Sequence, residues 1–129
     1  MPYEKRIFIS FAVEDVQYRD LMRGHARNPN CPFSYIDMSV KEPWDSSWKT
    51  NCRTKIRGCH GVIALLSRNN LNADGAIWEM RCAVEEGIPM IGVYIFSEDV
   101  GNIRLPAEMN GVRKIKWTWD GIASFVDGV

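Results

Sequence analysis

The sequence predicts an α/β fold, a flavodoxin-like three-layer sandwich around a five-stranded parallel sheet in the order 2-1-3-4-5. Two observations predict it. Short apolar runs alternate along the chain with patterns of helical period, and some of these runs contain almost no polar residue. Such alternation is typical of a parallel sheet, because right-handed crossovers place helices on its faces and bury the strands. The length of 129 residues matches one domain, so residues 1–129 are expected to form a single unit.

The elements of the first half follow from the spacing of apolar residues. The β-rich run of residues 5–11 is the expected first strand. A helix is expected behind Glu14 or Asp15, with Asp15 as an acid that the helix dipole favours. Residues 33–37 are the expected second strand, and a serine cap at 46–47 begins the second helix. The apolar positions of that helix recur every three or four residues: Trp48, Cys52, Ile56 and Cys59.

The second half of the chain contains three more apolar runs. Residues 61–67 are a continuous apolar strand of the kind that is buried on both faces. Residues 89–96 are another near-continuous run, and residues 113–117 are a short last strand. Residues 122–126 are expected to close the domain as a short helix.

The helix between the third and fourth strands carries one acid of particular interest. Residues 71–87 read LNADGAIWEMRCAVEEG, and Asp74 is the expected cap. Glu79 lies off the predicted buried stripe, about one turn into the helix. The apolar or small residues of that stripe are Ala73, Ala76, Ile77, Met80, Ala83, Val84 and Gly87. The pattern leaves open whether Glu79 is a solvated helix acid or a carboxylate at the mouth of a site.

Composition and charge argue against several classes of function. Sixteen basic and sixteen acidic side chains cancel, so no net field attracts nucleic acid or an anionic membrane. No apolar run approaches the roughly 20 residues of a membrane span, and the start, MPYEKRIFIS, is unlike a signal peptide, so a cytoplasmic protein is expected. The four cysteines form no C-x-x-C pair, which argues against a metal site and favours reduced thiols.

The predicted topology places the candidate site residues at one edge of the sheet. Ligands of open parallel sheets bind beyond the carboxyl ends of the strands, near the point where the strand order reverses. Ser10, Phe11 and Asp37 end the first two strands, and the helix with Glu79 leaves the same edge. Trp44 follows the second strand. We expect Glu79, Ser10, Phe11 and Trp44 to share one crevice. Ser10 either only ends its strand or bonds a phosphate or ribose there, and Phe11 fits the core as well as it fits a wall that stacks on the ligand.

Other functions of the same fold lack their own motifs here. A receiver domain would use Asp37 at a strand end, but it also needs paired acids where this chain has Ser10 and Phe11. A flavodoxin needs a phosphate loop rich in glycine and hydroxyl groups after the first strand, and FAVE does not provide one. His25 and His60 have no Ser or Cys partner at a recognisable spacing, so nothing supports a hydrolytic triad.

Four stretches of the chain together resemble a known family: RIFISFAVEDV, YIDMS, GVIALLS and IWEMRCAVEEGIPMIGVYI. Over essentially the whole chain they are similar to the TIR-like domain of the Thoeris antiphage ThsB proteins, a branch of the TIR superfamily. The most specific parts are a strand that ends in Ser-Phe before Glu-Asp, and a motif of a hydrophobic residue, an aromatic residue and Glu in succession. That motif lies in a helix that ends at Glu-Gly before a strand of the form I-G-V-x-I.

The resemblance implies an enzyme that cleaves the nicotinamide N-glycosidic bond of NAD and releases a cyclic ADP-ribose-type signal to a downstream effector. Glu79 falls at the position of the catalytic glutamate. Many TIR enzymes carry Trp four residues before this acid, whereas here Gly75 holds that place and Trp78 directly precedes the acid. Trp78 is therefore a candidate substrate wall, with core packing or an assembly contact as open alternatives. NAD is implied as substrate, and neither a bound cofactor nor a metal is implied.

The resemblance also allows a second interpretation. TIR-like domains self-associate, and a non-catalytic adaptor of this kind acts by docking with its own kind or with another TIR partner. Self-association is expected in both cases, so it does not distinguish the enzyme from the adaptor.

Overall fold

The computed structural model of the chain describes residues 5–26, 35–37 and 48–129. Its strands are β1 Lys5–Ser10, β2 Tyr35–Asp37, β3 Gly61–Leu66, β4 Met90–Tyr94 and β5 Arg113–Lys116. Its α-helices are α1 Val16–Ala26, α2 Trp48–Arg57, α3 Asp74–Glu85 and α4 Trp119–Gly128. Within these residues, no helix combines the length and the apolar character that crossing a membrane requires.

The strands pair in parallel in one sheet, in the order β2-β1-β3-β4-β5. The α/β class and the parallel sheet predicted from the sequence are confirmed, and the arrangement is compatible with a flavodoxin-like fold. The strand order reverses beside β1, because β2 lies on one side of this strand and β3 on the other. Ser10, the last residue of β1, pairs with Ala64 of β3. The carboxyl end of β1 therefore lies at the position where ligands bind in such sheets.

The core is divided between the two faces of the sheet. On one face, Met22 of α1 and Ile122 of α4 pack against buried side chains of the central strands. On the other face, α2 and α3 contribute Ile56 and Ala83 to a second cluster, which contains several thiols. All six residues of β3 are buried, as the continuous apolar run predicts for a strand covered on both faces.

The closing helix is longer than the sequence pattern predicts. It begins at Trp119 instead of residue 122, because the Thr118 hydroxyl oxygen accepts a hydrogen bond of 3.2 Å from the Gly121 N–H and so caps the helix. Trp117 and Trp119, on either side of the cap, pack edge to face with ring centroids 5.6 Å apart. The aromatic pair thus belongs to the junction between β5 and α4.

Candidate functional site at the carboxyl end of β1

The buried face of α3 differs from the sequence prediction. Ala76, Glu79, Met80 and Ala83 are all buried, with the i, i+3, i+4, i+7 spacing of a single helix face. Val84, which was expected on this face, is 56% exposed. The prediction that Glu79 lies off the buried stripe was therefore wrong. The prediction chose the buried face by apolar character alone and therefore included Val84. The helical spacing from Ala76 assigns Glu79 to that face instead.

The start of α3 also differs from the prediction. Asp74 does not cap the helix: it is the first helical residue, and Ala73 holds the cap position without a side-chain hydrogen bond. The carboxylate of Asp74 still lies in the first turn, where the helix dipole favours an acid. A short 3-10 turn at Asn70–Asn72 leads into the helix, and the Ala73 N–H donates to the Asn70 carbonyl at 3.1 Å.

Glu79 is fully buried and is held by side chains from two other elements. The Ser10 hydroxyl donates to Glu79 Oε1 at 3.0 Å, and the same hydroxyl oxygen lies 3.2 Å from the Ala76 carbonyl oxygen. On the other carboxylate oxygen, the Cys52 thiol of α2 approaches Oε2 at 3.9 Å. Ser10 and Glu79 have no exposed surface, and Cys52 is 2% exposed. The structure thus joins two sequence-predicted residues, Ser10 and Glu79, at the end of β1.

A second polar cluster lies beside this one and was missed by the sequence reasoning. Asp15, which was expected as an acid at a helix N-terminus, is 2% exposed. Its carboxylate accepts from the Ser67 hydroxyl at 2.5 Å and from the Asn69 side-chain amide at 3.0 Å. Asn70 accepts from the Ser67 N–H at 2.7 Å and donates to the Leu65 carbonyl at 3.1 Å. These bonds tie the loop after β3 to the first turn after β1, and that loop leads into α3.

Two further predicted residues are not brought to Glu79. Phe11 is fully buried in the core cluster on the α1 and α4 face, and the Arg19 guanidinium lies 5.0 Å from its ring centroid. Asp37 pairs with Ile7, three residues before Ser10, so its backbone lies about 10 Å short of the end of β1 along the strand. Trp44, the predicted aromatic lining residue, falls outside the residues that the structure describes.

A rim cavity of about 330 Å³ opens near the carboxyl ends of β3 and β4. It is lined by Arg68, Leu71, Asn102, Ile103 and Arg104. Its described lining residues include no acid, although the Arg68 guanidinium pairs with Asp99 at 3.5 Å. Within the part of the chain that the structure describes, no three His, Cys, Asp or Glu side chains group as a metal site requires.

Comparison with known proteins identifies the family. Residues 8–99 match the family model of the TIR-like domain of Thoeris protein ThsB. The chain belongs to the Thoeris ThsB TIR-like family. Its structure is similar to that of the CMP N-glycosidase BcmB of Clostridium botulinum, with a TM-score of 0.56 and 13% identity over 97% of this chain and 100% of that chain. A likeness at this identity shows the fold alone. No curated protein gives a significant sequence match.

In this ThsB-family chain, Trp78 lies in a different environment from the acid that follows it. It lines a surface cavity of about 260 Å³ formed by α2 and α3, here called the α2–α3 cavity, and Glu79 is not among the lining residues. The Lys49 ammonium lies 4.9 Å from the Trp78 ring centroid, and the Arg53 guanidinium lies 5.1 Å from it. The structure therefore groups Trp78 with cations of α2, and the Ser10 and Glu79 pair lies on the inner side of the same helices.

Ion pairs connect α2 with the end of α3. Arg53 donates to Glu85 at 2.7 Å, and Arg57 donates to Glu86 at 2.6 and 3.0 Å. The hydrogen bond from Arg57 holds the pKa of Glu86 below its usual value. The bonds to Glu85 and Glu86 raise the pKa of Arg53 and of Arg57. Behind them, burial raises the pKa of the Cys82 thiol, which keeps this thiol neutral.

Proposed function

We propose that this protein cleaves the bond between nicotinamide and ribose in NAD, with Glu79 as the catalytic carboxylate. The observation that carries the proposal is the buried Ser10 and Glu79 pair at the carboxyl end of β1, where the strand order reverses. Ligands bind at this position in open parallel sheets. Membership of the ThsB TIR-like family supports the same residue as the functional acid.

One carboxylate is enough for this reaction. When the ribose C1–N bond breaks, both electrons leave with the pyridinium nitrogen, and nicotinamide departs as a neutral molecule that needs no proton. Positive charge develops on the ribose ring as an oxocarbenium ion. The Glu79 carboxylate stabilises that charge, in contrast to the two carboxyl groups that most O-glycosidases require. The Ser10 hydroxyl holds one carboxylate oxygen and so fixes the direction of the other.

The structural likeness to the CMP N-glycosidase supports the general class of reaction. The name of that enzyme describes cleavage of an N-glycosidic bond in a nucleotide, which is the type of bond proposed here. The rim cavity offers a place for the diphosphate of NAD, because Arg68 and Arg104 line it and its described lining residues include no acid.

The proposed product is a cyclic ADP-ribose-type signal for antiphage defence in the cytoplasm. In a cyclising reaction, a hydroxyl of the same molecule replaces water as the acceptor, so the site must exclude water. The complete burial of Ser10 and Glu79 is consistent with this requirement. The signal would reach a separate effector, and self-association through TIR-like contacts is proposed as the route to the active state.

A specific observation also favours the adaptor as a second candidate. Glu79 has no exposed surface in this structure, so a substrate reaches it only after the site opens. If the site never opens, the buried Glu79 contributes only to packing. Exposed apolar side chains are available for docking on the described surface, among them Val13, Leu21 and Val84.

Incubation with NAD distinguishes the two functions. Purified protein is incubated with NAD alone, with a crowding agent and with a phage-derived trigger, and released nicotinamide is measured. The enzyme predicts release in at least one condition and loss of about 100-fold or more in Glu79→Gln. Glu85→Gln, on the exposed side of the same helix, is the matched control and retains activity. Absence of nicotinamide in every condition, or equal release by Glu79→Gln, would support the adaptor.

A further inference from the structure

Among the described residues, the α2–α3 cavity is lined by three cations and by no acid. Its lining consists of one face of α2 together with a tryptophan of α3: Lys49, Thr50, Arg53, Thr54, Arg57 and Trp78. The three cations are spaced four residues apart on α2, so they lie in line on one side of the helix. Glu85 and Glu86 pair with two of these three cations, so within the described part of the chain Lys49 supplies the unpaired positive charge of this face.

The arginine side chains of the cavity are held in place before any ligand binds. Arg53 is bonded to Glu85, and Arg57 is bonded to Glu86 through two of its nitrogens. A guanidinium has five N–H donors, so each arginine retains donors for a further acceptor. Fixed donors lower the entropy that a ligand must overcome on binding.

Within the described part of the chain, one group of the cavity lacks an ion pair and another lacks a hydrogen-bond acceptor. Lys49 makes no ion pair there, and its ammonium lies over the Trp78 ring. The Trp78 indole N–H is buried, and no acceptor among the described residues receives its hydrogen bond. A buried donor without an acceptor is destabilising and rare in folded proteins. A negatively charged oxygen in the cavity would pair with the Lys49 ammonium, and with the indole N–H once the Trp78 ring turns this buried donor toward the cavity.

We propose that the α2–α3 cavity binds a small phosphate-type anion. Arginine pairs favour the planar, two-point recognition of phosphate oxygens, and lysine adds a point charge. The volume of about 260 Å³ lies near the lower end of ligand pockets, which suits a phosphate or a small phosphorylated molecule. The site is distinct from the Ser10 and Glu79 pair, and the proposal does not depend on NAD cleavage.

The test follows the indole N–H signal of Trp78 by ¹⁵N NMR, with Trp78→Phe to assign the signal. Inorganic phosphate and adenosine monophosphate are titrated separately, and sodium chloride at equal ionic strength is the control. We expect a saturable shift of the Trp78 signal that chloride does not produce. Lys49→Gln and Arg53→Gln are each expected to weaken binding about 10-fold, the effect of one charge-assisted contact. Lys55→Gln, an exposed lysine of α2 outside the cavity, is expected to leave binding unchanged.

Each outcome decides a specific point. Tighter binding of adenosine monophosphate than of phosphate identifies a phosphorylated small molecule as the ligand, whereas equal binding identifies the free anion. The proposal is overturned if the Trp78 signal responds to phosphate only as it responds to chloride, or if Lys49→Gln binds as tightly as wild type. Lys49 is exposed, so this variant decides the matter even if Arg53→Gln fails to fold.

Discussion

The buried cluster around Asp15 gives a quantitative test of how the β1 end is joined to the loop before α3. Asp15→Ala removes the acceptor of two hydrogen bonds, from Ser67 at 2.5 Å and from Asn69 at 3.0 Å. Hydrogen bonds to a charged group contribute about 1.5 to 3 kcal/mol each, and removing a buried charge offsets part of this loss. We therefore expect the free energy of unfolding to fall by about 3 kcal/mol. Asp20→Ala, an exposed acid of α1, is the control and should change it by less than about 0.5 kcal/mol.

A double-mutant cycle isolates the bond between the two side chains. Asp15→Ala, Ser67→Ala, the double variant and wild type are unfolded in urea, and the four free energies are combined. The 2.5 Å bond predicts a coupling of about 1.5 kcal/mol or more between the two positions. A coupling below about 0.5 kcal/mol would refute the conclusion that Asp15 fastens the loop after β3.

Two further predictions concern the sheet and its pH dependence. Gly92→Ala should lower the free energy of unfolding, measured in urea, by about 1 kcal/mol, because the new Cβ would lie 2.7 Å from a Leu66 methyl carbon and 2.8 Å from the Met109 methyl carbon, two side-chain ends that must move aside; an unchanged midpoint would contradict the tight packing of β4. Burial, followed by the charges of Arg6 and Lys5, lowers the pKa of His60, whose Nδ1 accepts from the Arg6 N–H. A lowered pKa means that protonation favours the unfolded chain, so this contribution to stability is complete above pH of about 6.5 and is lost as the pH falls below it. Urea midpoints at several pH values should therefore show a smaller decrease on acidification in His60→Asn than in wild type, and equal decreases would contradict the assignment.

The sequence predicts those parts of the fold that depend on the local spacing of apolar residues. β3 is readable because a strand covered on both faces needs apolar residues at every position, and GVIALL has them. The start of α4 was predicted too late, because Thr118 acts through one capping bond and leaves no periodic pattern. The same holds for Asp15, whose partners lie more than fifty residues away and cannot be inferred from local spacing.

The candidate site was predicted in part for a related reason. Ser10 was found because strand ends are visible in the sequence and the topology says which ends meet. Glu79 was found by resemblance, although the helical spacing from Ala76 and Met80 already assigns it to the buried face. The sequence left Phe11 open between the crevice and the core. Neighbouring residues of an extended chain point to opposite faces of the sheet, so the Phe11 ring is expected on the face opposite to the Ser10 hydroxyl. Its ring therefore packs with α1 and α4.

The central claim is that the buried Glu79 carboxylate stabilises the ribose cation as nicotinamide leaves. The most direct measurement is the rate of nicotinamide release from NAD by Glu79→Gln and by wild type, under the condition that activates wild type. Equal urea midpoints of the two proteins show that the variant is folded as stably as wild type. The account predicts a rate at least about 100-fold lower in the variant, because glutamine keeps the shape and loses the charge. A variant that releases nicotinamide within about twofold of the wild-type rate would contradict it.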